Sequence, residues 1–517
     1  MKISRVLTLT ILFFVFLLFL KSDFRIINEL RCCQDDFDYY SHAMTIVDDF
    51  DLDYSNQITT KNRFYANDKI APVGFFGSGL LAAPFLLLGN LLDGLFNTNQ
   101  DILEFKKLIY SFSSIFYLFA SLHLLSMTFE IKWKKYLFPL AFFGSGIIYY
   151  SFERYSMTHV YEIFTISLIF YFSKKYYLSE NSPNLYSTLL PLGFLLAFLV
   201  RWTNYYIILI PLIFIRLSKH DSKLNISKDI VFYFSSIISI LLFSLHTVAI
   251  YGKLVFSPTY IYGAQNVGNS LVSELQNNFF SLIQDFLRDT FNVLFTQEFG
   301  IFWFAPVIFL GLVLSIFNFF SKSTGEKLSY ALILICYAQC FFIISIWNTT
   351  ASSYGFRYLL SLVPLSLFVL SINLPKHNVL LTNYLKLFSI FGILSVLFFE
   401  TTLNTQLSLV PVKNSFGIEA VYSQPNYLSG VIASFFELQS YMKIIATSFL
   451  GSIIFKFSIS LLGKNQFFSL LEKFGGLSSN EDLVSLIEKL EIITWDKFII
   501  TILFSLLILR VFNKSLR

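Results

Sequence analysis

The chain has 517 residues, of which 55% are hydrophobic, 19% are aromatic and only 14% are charged. Its apolar residues come in long runs rather than at helical or strand periodicity, which excludes an ordinary soluble domain and predicts an all-α multi-pass membrane protein. The net charge of +5 is small. The Lys and Arg residues lie in short groups between the apolar runs. Groups of this kind reflect how a chain is oriented across a lipid bilayer, so we expect no nucleic-acid partner.

Residues 6–20 form the first apolar run. The Lys21-Ser-Asp that follows lacks a small-residue cleavage site, so we predict an uncleaved first span. Two stretches are ambiguous, because residues 75–96 either cross the membrane or lie at its outer interface, and residues 186–217 form one long helix or two short ones. Ten further runs are long enough to cross a bilayer. These are residues 108–128, 136–151, 158–173, 229–250, 301–320, 328–347, 358–374, 380–399, 443–462 and 497–512.

The positive-inside rule favours one arrangement of these runs. If residues 75–96 lie at the outer interface and residues 186–217 form two short helices, the basic loops fall on the cytoplasmic side. If residues 75–96 cross instead, most of those loops fall outside. We therefore predict a bundle of about 11–13 transmembrane helices, with amphipathic helices in the first outer loop, residues 22–105. Amphipathic patterns also predict an outer surface helix within residues 271–295 and cytoplasmic surface helices within residues 464–495.

Acidic residues gather where the chain first leaves the membrane, at Asp35, Asp36 and Asp38. A carboxylate at this depth is costly and suits a general base, and a second carboxylate beside it can orient the base or share a metal. We interpret Asp35 and Asp36 as catalytic, with Asp38 and Tyr39 as substrate ligands. The later carboxylates of residues 48–53 are better interpreted as a solvated acidic loop.

The segment from Glu153 to His159 is predicted to form a short outer turn between two spans. Glu153 is a candidate second catalytic carboxylate, although a local ion pair with Arg154 explains these two residues equally well. His159 is either a substrate ligand or a polar group satisfied within the bundle. Arg201 follows in the middle of residues 186–217, where a positive charge is costly unless it meets an anion. Arg154 and Arg201 are therefore candidate substrate ligands.

Arg357 lies at the mouth of a predicted span and follows Ser353-Tyr354-Gly-Phe. A guanidinium at headgroup depth can hold a phosphate through two parallel hydrogen bonds, with Tyr354 beside it as a further substrate ligand. The competing interpretation is an arginine that snorkels and anchors a helix end. Both interpretations stay open.

The four cysteines form two close pairs, Cys32–Cys33 and Cys336–Cys340. Adjacent cysteines make strained disulfides, and a pair four residues apart within an apolar run is typical of packing. We therefore predict neither a disulfide framework nor a metal site.

In their order and spacing these segments resemble the bacterial GT-C glycosyltransferases, which include the protein O-mannosyltransferases and the lipid A aminoarabinose transferases. The resemblance implies a GT-C-like catalytic transmembrane domain over residues 1–400. Residues 401–517 would then supply a C-terminal outer loop, further transmembrane helices and a cytoplasmic amphipathic segment. The segments that carry the resemblance are Gln34-Asp-Asp-Phe-Asp-Tyr39, Asp49-Phe-Asp-Leu-Asp-Tyr-Ser-Asn56, Ala71-Pro-Val-Gly, Leu199-Val-Arg-Trp-Thr-Asn204, Gly300-Ile-Phe-Trp-Phe-Ala-Pro306 and Ser353-Tyr-Gly-Phe-Arg-Tyr358.

The resemblance implies an inverting sugar transfer from a polyprenyl-phosphate donor to a lipid, glycan or protein acceptor, on the outer face of a bacterial cytoplasmic membrane. The first-loop base of the family maps to Asp35, with Asp36 as its neighbour. The family pattern of Asp-Glu and a later Pro-His-Tyr is Asp-Asp-Phe-Asp-Tyr here, so the choice among Asp35, Asp36 and Asp38 stays open. Arg201 and Arg357 would neutralise the leaving phosphate. No cofactor is required for this chemistry, and assistance by a divalent cation is left open.

Two other functions compete with this interpretation. A polymerase or ligase of surface polysaccharide would use a diphosphate-linked donor, and it calls for more basic residues in a large outer loop than residues 252–300 contain. A transporter or flippase of lipid-linked sugars would show repeat symmetry and charges near the middle of the bilayer. Neither signal is clear in the sequence.

Overall fold

The structure, a computed structural model, describes part of the chain. The predicted spans at residues 6–20 and 497–512, the pair Cys32–Cys33 and all but the last residue of the span at 443–462 lie outside that part. The described residues are 34–58, 65–66, 69–72, 74–96, 105–130, 136–178, 183–218, 229–256, 279–347, 354–374, 378–405, 410–413, 419–423, 427–436 and 462–475.

The described chain is mostly helical. Its first half contains a small β-hairpin and eight helices: α1 Gln34–Met44, β1 Tyr65–Ala66, β2 Lys69–Ile70, α2 Gly77–Phe96, α3 Phe105–Thr128, α4 Leu137–Phe143, α5 His159–Leu178, α6 Pro183–Val200, α7 Ile210–Ser218 and α8 Ile230–Tyr251. Its second half contains eight more helices and a second hairpin: α9 Phe279–Phe295, α10 Ile301–Phe304, α11 Pro306–Ser321, α12 Thr324–Trp347, α13 Val363–Asn373, α14 Val379–Thr405, β3 Val410–Lys413, β4 Glu419–Ser423, α15 Tyr427–Ser434 and α16 Lys464–Gly475.

The protein is an all-α membrane protein. Within the described residues, five helices are long and apolar enough to cross a bilayer: Gly77–Leu95, Phe105–Thr128, Ile230–Tyr251, Thr324–Ser345 and Val379–Val396. Helix α2 is one of these five, so its length and composition suit a crossing as well as the interfacial position that we prefer. The position of α2 relative to the bilayer, and with it the total number of spans, stays a prediction.

Helix α5 lies at the centre of the bundle and packs against α3, α6, α7 and α13. Most of its side chains are buried, including those of Ser167 and Ser173. Each of these two hydroxyls donates a hydrogen bond to the carbonyl four residues earlier, at 2.7 and 2.6 Å. The polar positions are thereby satisfied within the helix, which lets α5 be buried on several sides at once.

Three predicted apolar runs are interrupted within the described residues, and one of them, residues 301–320, is interrupted at Ala305 between α10 and α11. The ambiguous residues 186–217 form two helices separated at Arg201, as the positive-inside rule favours. Residues 136–151 are split after α4 by a turn in which Gly146 has a φ of +87°. A Cβ on Gly144 would lie 2.5 Å from the Cα of Ser389, so the turn packs directly against the backbone of α14.

Helix α1 lies beside the first half of α2, and His42 joins the two. The His42 Nε2 contacts the Gly74 carbonyl at 2.8 Å and its Nδ1 contacts the Tyr54 hydroxyl at 2.7 Å. Tyr251 of α8 donates to the same Gly74 carbonyl at 3.0 Å. Burial lowers the pKa of His42 to about 3, so the ring is neutral near pH 7, with Nε2 as the donor and Nδ1 as the acceptor. These bonds attach the C-terminal end of α1 to the segment before α2 and to α8.

Cys336 and Cys340 are buried, free thiols on α12. The Cys336 Sγ donates to the Leu332 carbonyl of the same helix at 3.1 Å. Both residues serve as packing groups, in agreement with the interpretation of their spacing.

The short helix α15 packs back onto α14, although the predicted domain boundary at residue 400 would separate it from the bundle. Tyr427 is fully buried and donates to the Ser395 carbonyl at 2.8 Å. The assignment of residues 401–517 to a distinct region stays a prediction, and residues 427–434 share the core of the preceding helices.

Helices α2 and α3 approach closely at Gly89, which gives a test of their packing. A Cβ on Gly89 would lie 2.5 Å from the Cα of Lys106, whereas Gly94 of the same helix has no described atom within 4 Å of its Cβ position. We expect Gly89→Ala to lower the free energy of unfolding by about 1–3 kcal/mol through steric overlap. Gly94→Ala should raise it by about 0.5–1 kcal/mol. Denaturant unfolding of the purified protein measures both, and equal effects would contradict the close approach.

Candidate functional site

Charged side chains from four separate segments lie at one end of α5, three of them buried and one partly buried. They come from α1, from the turn before α5, from the break after α6 and from the turn before Tyr358. These segments meet because α5 begins where its antiparallel neighbour α6 ends. Helix ends leave backbone groups without helical partners, so polar side chains concentrate there.

The first buried pair joins Asp36 of α1 to Arg154. The Arg154 Nη2 lies 2.5 Å from the Asp36 Oδ2, and both side chains are almost inaccessible to solvent. Each partner of such a buried ion pair is costly to bury without the other. The pair therefore attaches the first loop to the turn before α5.

The second buried group centres on Glu162, one turn into α5. Its Oε1 accepts a hydrogen bond from the Asn204 Nδ2 at 2.5 Å and lies 3.7 Å from the Arg201 Nε. Its Oε2 lies 3.3 Å from the His159 Nδ1. Arg201 also donates from Nη1 to the Thr158 hydroxyl at 2.8 Å. One carboxylate thus orients an arginine, a histidine and an asparagine.

Aromatic side chains bring the remaining arginine into the same cluster. The Arg201 guanidinium lies 4.1 Å from the centroid of the Tyr358 ring, and the Arg357 guanidinium lies 5.7 Å from it. Arg201 also interacts electrostatically with Tyr39 of α1 and with Arg357. The face of a tyrosine attracts a cation, so Tyr358 holds two guanidinium groups near each other despite their repulsion.

The predicted site residues fall into three groups. Asp36, Asp38, Tyr39, Arg154, His159, Arg201 and Arg357 all lie in or beside this cluster, and Asp38 interacts electrostatically with Tyr251 of α8. The side chains of Asp35 and Glu153 lie outside the described part of the structure, although their backbones belong to α1 and to the turn of helix that ends at Glu153.

Tyr354 forms the third group, because its ring packs in an aromatic cluster apart from the arginines. It contacts Phe299 and Tyr427, and its hydroxyl lies 3.2 Å from the Gly392 carbonyl. The Tyr354 carbonyl accepts a hydrogen bond from Tyr150 at 2.6 Å, and the Tyr150 ring contacts His159. A direct substrate contact by Tyr354 stays a prediction; its described bonds support the turn that carries Arg357.

The carboxylates of residues 48–53 lie apart from the cluster. Asp48 accepts from the Lys106 Nζ at 2.7 Å and from the Asn90 Nδ2 at 2.8 Å. Asp51 and Asp53 are exposed and accept hydrogen bonds from backbone amides of their own loop. This geometry agrees with the solvated acidic loop interpretation.

Glu162, Asn204 and Tyr358 belong to the cluster but were not predicted as site residues. Glu162 is the single acidic residue between His159 and Lys174 in an apolar run that we interpreted only as a span. A carboxylate in such a run, one helical turn after a histidine, is itself a signal of function. Asn204 follows Arg201 by three residues, but its pairing with Glu162 depends on tertiary structure.

An apolar groove lies between α6 and α8. Its volume is about 610 Å³. Trp202 and Tyr205 line the groove. Trp202 is the residue that follows Arg201 in the chain. The other lining residues include Phe194, Phe198, Phe232, Ile240 and Phe243. The groove is thus lined mainly by aromatic and aliphatic side chains, with three serines among them.

Comparisons with models of known protein families, with curated proteins and with solved structures find no match. Within the described residues, no group of three His, Cys, Asp or Glu side chains is placed to hold a metal ion. The chemistry of the site is therefore argued from its own geometry.

The Asp36–Arg154 pair predicts a non-additive pattern of stability. Asp36→Asn and Arg154→Gln should each lower the free energy of unfolding by about 3–5 kcal/mol, because each leaves a buried charge without its counter-charge. The double variant should lose less than the sum of the two. Asp48→Asn, which breaks the more exposed pair with Lys106, is the control and should cost less than about 1 kcal/mol. Additive losses in denaturant unfolding would show that the pair does not form.

Proposed function

We propose that the protein is an inverting glycosyltransferase that moves a sugar from a polyprenyl-phosphate donor to a lipid, glycan or protein acceptor. The observation that carries the proposal is the cluster that brings the buried Arg201 together with Arg357 and Asp36. An apolar groove is lined by Trp202, the residue that follows Arg201 in the chain. A donor of this class has an isoprenoid tail, a phosphate and a sugar in that order. The groove matches the tail and the arginines match the phosphate.

The arginines suit the leaving phosphate. When the bond from the anomeric carbon to the phosphate oxygen breaks, the bonding electron pair goes to the phosphate, whose negative charge increases. Donors fixed in place around that charge stabilise the transition state more than the ground state. Arg201 is preorganised by Glu162 and Thr158, and Arg357 is held beside it by Tyr358. A polyprenyl phosphate is a good leaving group in this environment, and a divalent cation would only assist.

The acidic residues of α1 suit the acceptor. The acceptor oxygen or nitrogen forms the new bond to the anomeric carbon from the face opposite the phosphate, and a carboxylate takes its proton. The side chain of Asp36 lies in the cluster, and Asp35 precedes Asp36 on α1. Asp35 and Asp36 are therefore the candidate bases, with Asp38 as a further candidate. Glu153, next to Arg154, is a candidate second carboxylate.

The distribution of charge along α5 supports a site at the outer face of a bacterial cytoplasmic membrane. Glu162 and Lys174 are 12 positions apart, a rise of about 18 Å along a helix. Lys174 donates to the carbonyls of Met127 and Thr128 at the end of α3. Lysines at this C-terminal end of α5 obey the positive-inside rule if that end of the helix faces the cytoplasm. The arginine cluster then faces outward.

Sugar transfer in membranes that express the protein tests the proposal. We expect label to leave a polyprenyl-phosphate sugar pool with the wild-type chain. Arg357→Ala should slow transfer by about 100- to 1,000-fold because it removes a donor to the leaving phosphate. Asp35→Asn or Asp36→Asn, whichever removes the base, should slow it by about 100- to 10,000-fold.

Arg288→Ala is the matched control, because Arg288 lies on α9 with an exposed side chain, and it should transfer at the wild-type rate. Label that stays on the donor in every sample, with donors of several sugars, would contradict the enzyme and favour a transporter of lipid-linked sugars. Loss with Arg357→Ala but with neither Asp35→Asn nor Asp36→Asn would move the base to Asp38.

A further inference from the structure

His159 has a buried nitrogen whose role is not explained by the packing of the bundle. The ring is fully buried at the first residue of α5. Its Nδ1 lies 3.3 Å from the Glu162 Oε2, and its edge contacts Tyr150 at 4.5 Å between ring centroids. Its Nε2 has no hydrogen-bond partner among the residues that the structure describes. Buried polar atoms are nearly always paired, so an unpaired one at a candidate site indicates a missing ligand.

The bonding of the other nitrogen decides what that ligand must offer. Arg201 and Asn204 beside its other oxygen favour the ionised form of Glu162. An ionised carboxylate only accepts hydrogen bonds, so the His159 Nδ1 donates to Glu162 and the Nε2 of a neutral ring carries a lone pair. Burial and the charges of Arg201, Arg357 and Arg154 all disfavour a positive charge on the ring. The group that pairs with Nε2 therefore presents an O–H or an N–H.

The surroundings of His159 indicate which group this is. The same three guanidinium groups lie within electrostatic range of the imidazole, and in the proposed function they bind the donor phosphate. The sugar of such a donor is joined directly to that phosphate through its anomeric carbon. Its nearest hydroxyls therefore come within a few bonds of the arginines. His159 lies beside Arg201, because Arg201 donates to Thr158, the residue before His159, and pairs with Glu162, which His159 also contacts.

Resting on the proposed function, we propose that the His159 Nε2 accepts a hydrogen bond from a hydroxyl or amide of the donor sugar, and that Glu162 is the residue that positions the ring. This contact makes His159 a determinant of sugar specificity. A site built around a buried acceptor discriminates strongly against an analogue that lacks the matching donor, because the acceptor is then left unpaired.

Two amide replacements of His159 separate this role from a structural one. The side-chain amide of asparagine reaches about as far as Nδ1, and that of glutamine reaches about as far as Nε2. His159→Asn keeps a donor for Glu162 and removes the acceptor at Nε2, whereas His159→Gln does the reverse. The probes are farnesyl-phosphate esters of mannose, glucose, galactose and N-acetylglucosamine, the monodeoxy forms of the tightest binder, and farnesyl phosphate without a sugar.

We expect His159→Asn to weaken binding of the tightest sugar ester about tenfold or more, and His159→Gln to weaken it less. Both should bind farnesyl phosphate as the wild type does. One monodeoxy ester should bind the wild type about tenfold more weakly than its parent, and His159→Asn should not distinguish the two. Glu162→Gln should reduce the difference in affinity between the parent ester and this monodeoxy ester. A purely structural role of Glu162 would leave that difference unchanged. Thermal unfolding of each variant checks that it is folded.

The failures are distinguishable. If the wild type binds none of the sugar esters, the proposed function is wrong and the assignment of His159 with it. If the wild type binds a sugar ester and His159→Asn binds it equally well with the same discrimination, the glycosyltransferase stands and His159 has no sugar contact. If His159→Gln weakens binding and His159→Asn does not, the ring serves only to hold Glu162.

Discussion

The cost of burying charge inside an apolar bundle is the constraint on which this structure depends. An ionised side chain moved out of water loses several kcal/mol unless a counter-charge and hydrogen bonds replace its hydration. Asp36, Arg154, Glu162 and Arg201 are all buried, and each lies beside an opposite charge. Because these partners come from distant parts of the chain, their pairing forces α1, the turn before α5 and the break after α6 to meet. The candidate site thus forms because buried charges must be paired with opposite charges where there is little water.

The same constraint links the site to the lipid phase. Arg201 belongs to the irregular backbone between α6 and α7, and irregular backbone is tolerated within a bundle only where protein surrounds it or a cavity adjoins it. Trp202, the residue that follows Arg201, lines the apolar groove. A ligand with a long apolar tail and one anionic group would satisfy both features at once. An apolar groove and a buried guanidinium on neighbouring residues are the strongest physical support for a lipid-phosphate substrate.

The amino-acid sequence was sufficient to predict the helical membrane class and the break at Arg201, because both depend on local runs of apolar residues and on the cost of one charge. It also pointed to Asp36, Arg154 and Arg357 as polar groups at the ends of such runs. The pairing of Asp36 with Arg154 was not predictable, since their sequence separation is large and no periodicity relates them. Glu162 was missed because its neighbours are apolar. The aromatic packing of Tyr354 likewise depends on α14 and α15, which lie far along the chain.

The central claim is that a lipid phosphate binds with its tail in the groove and its phosphate on the arginine cluster. The most direct test is photo-crosslinking with a polyprenyl phosphate that carries a diazirine on its tail. With the label mapped by mass spectrometry, the account predicts crosslinks at groove residues such as Phe198 and Phe243. These crosslinks should fall sharply with Arg201→Ala or when the corresponding alcohol replaces the phosphate. Crosslinks spread evenly over apolar surfaces such as Phe317, and equal for phosphate and alcohol, would contradict it.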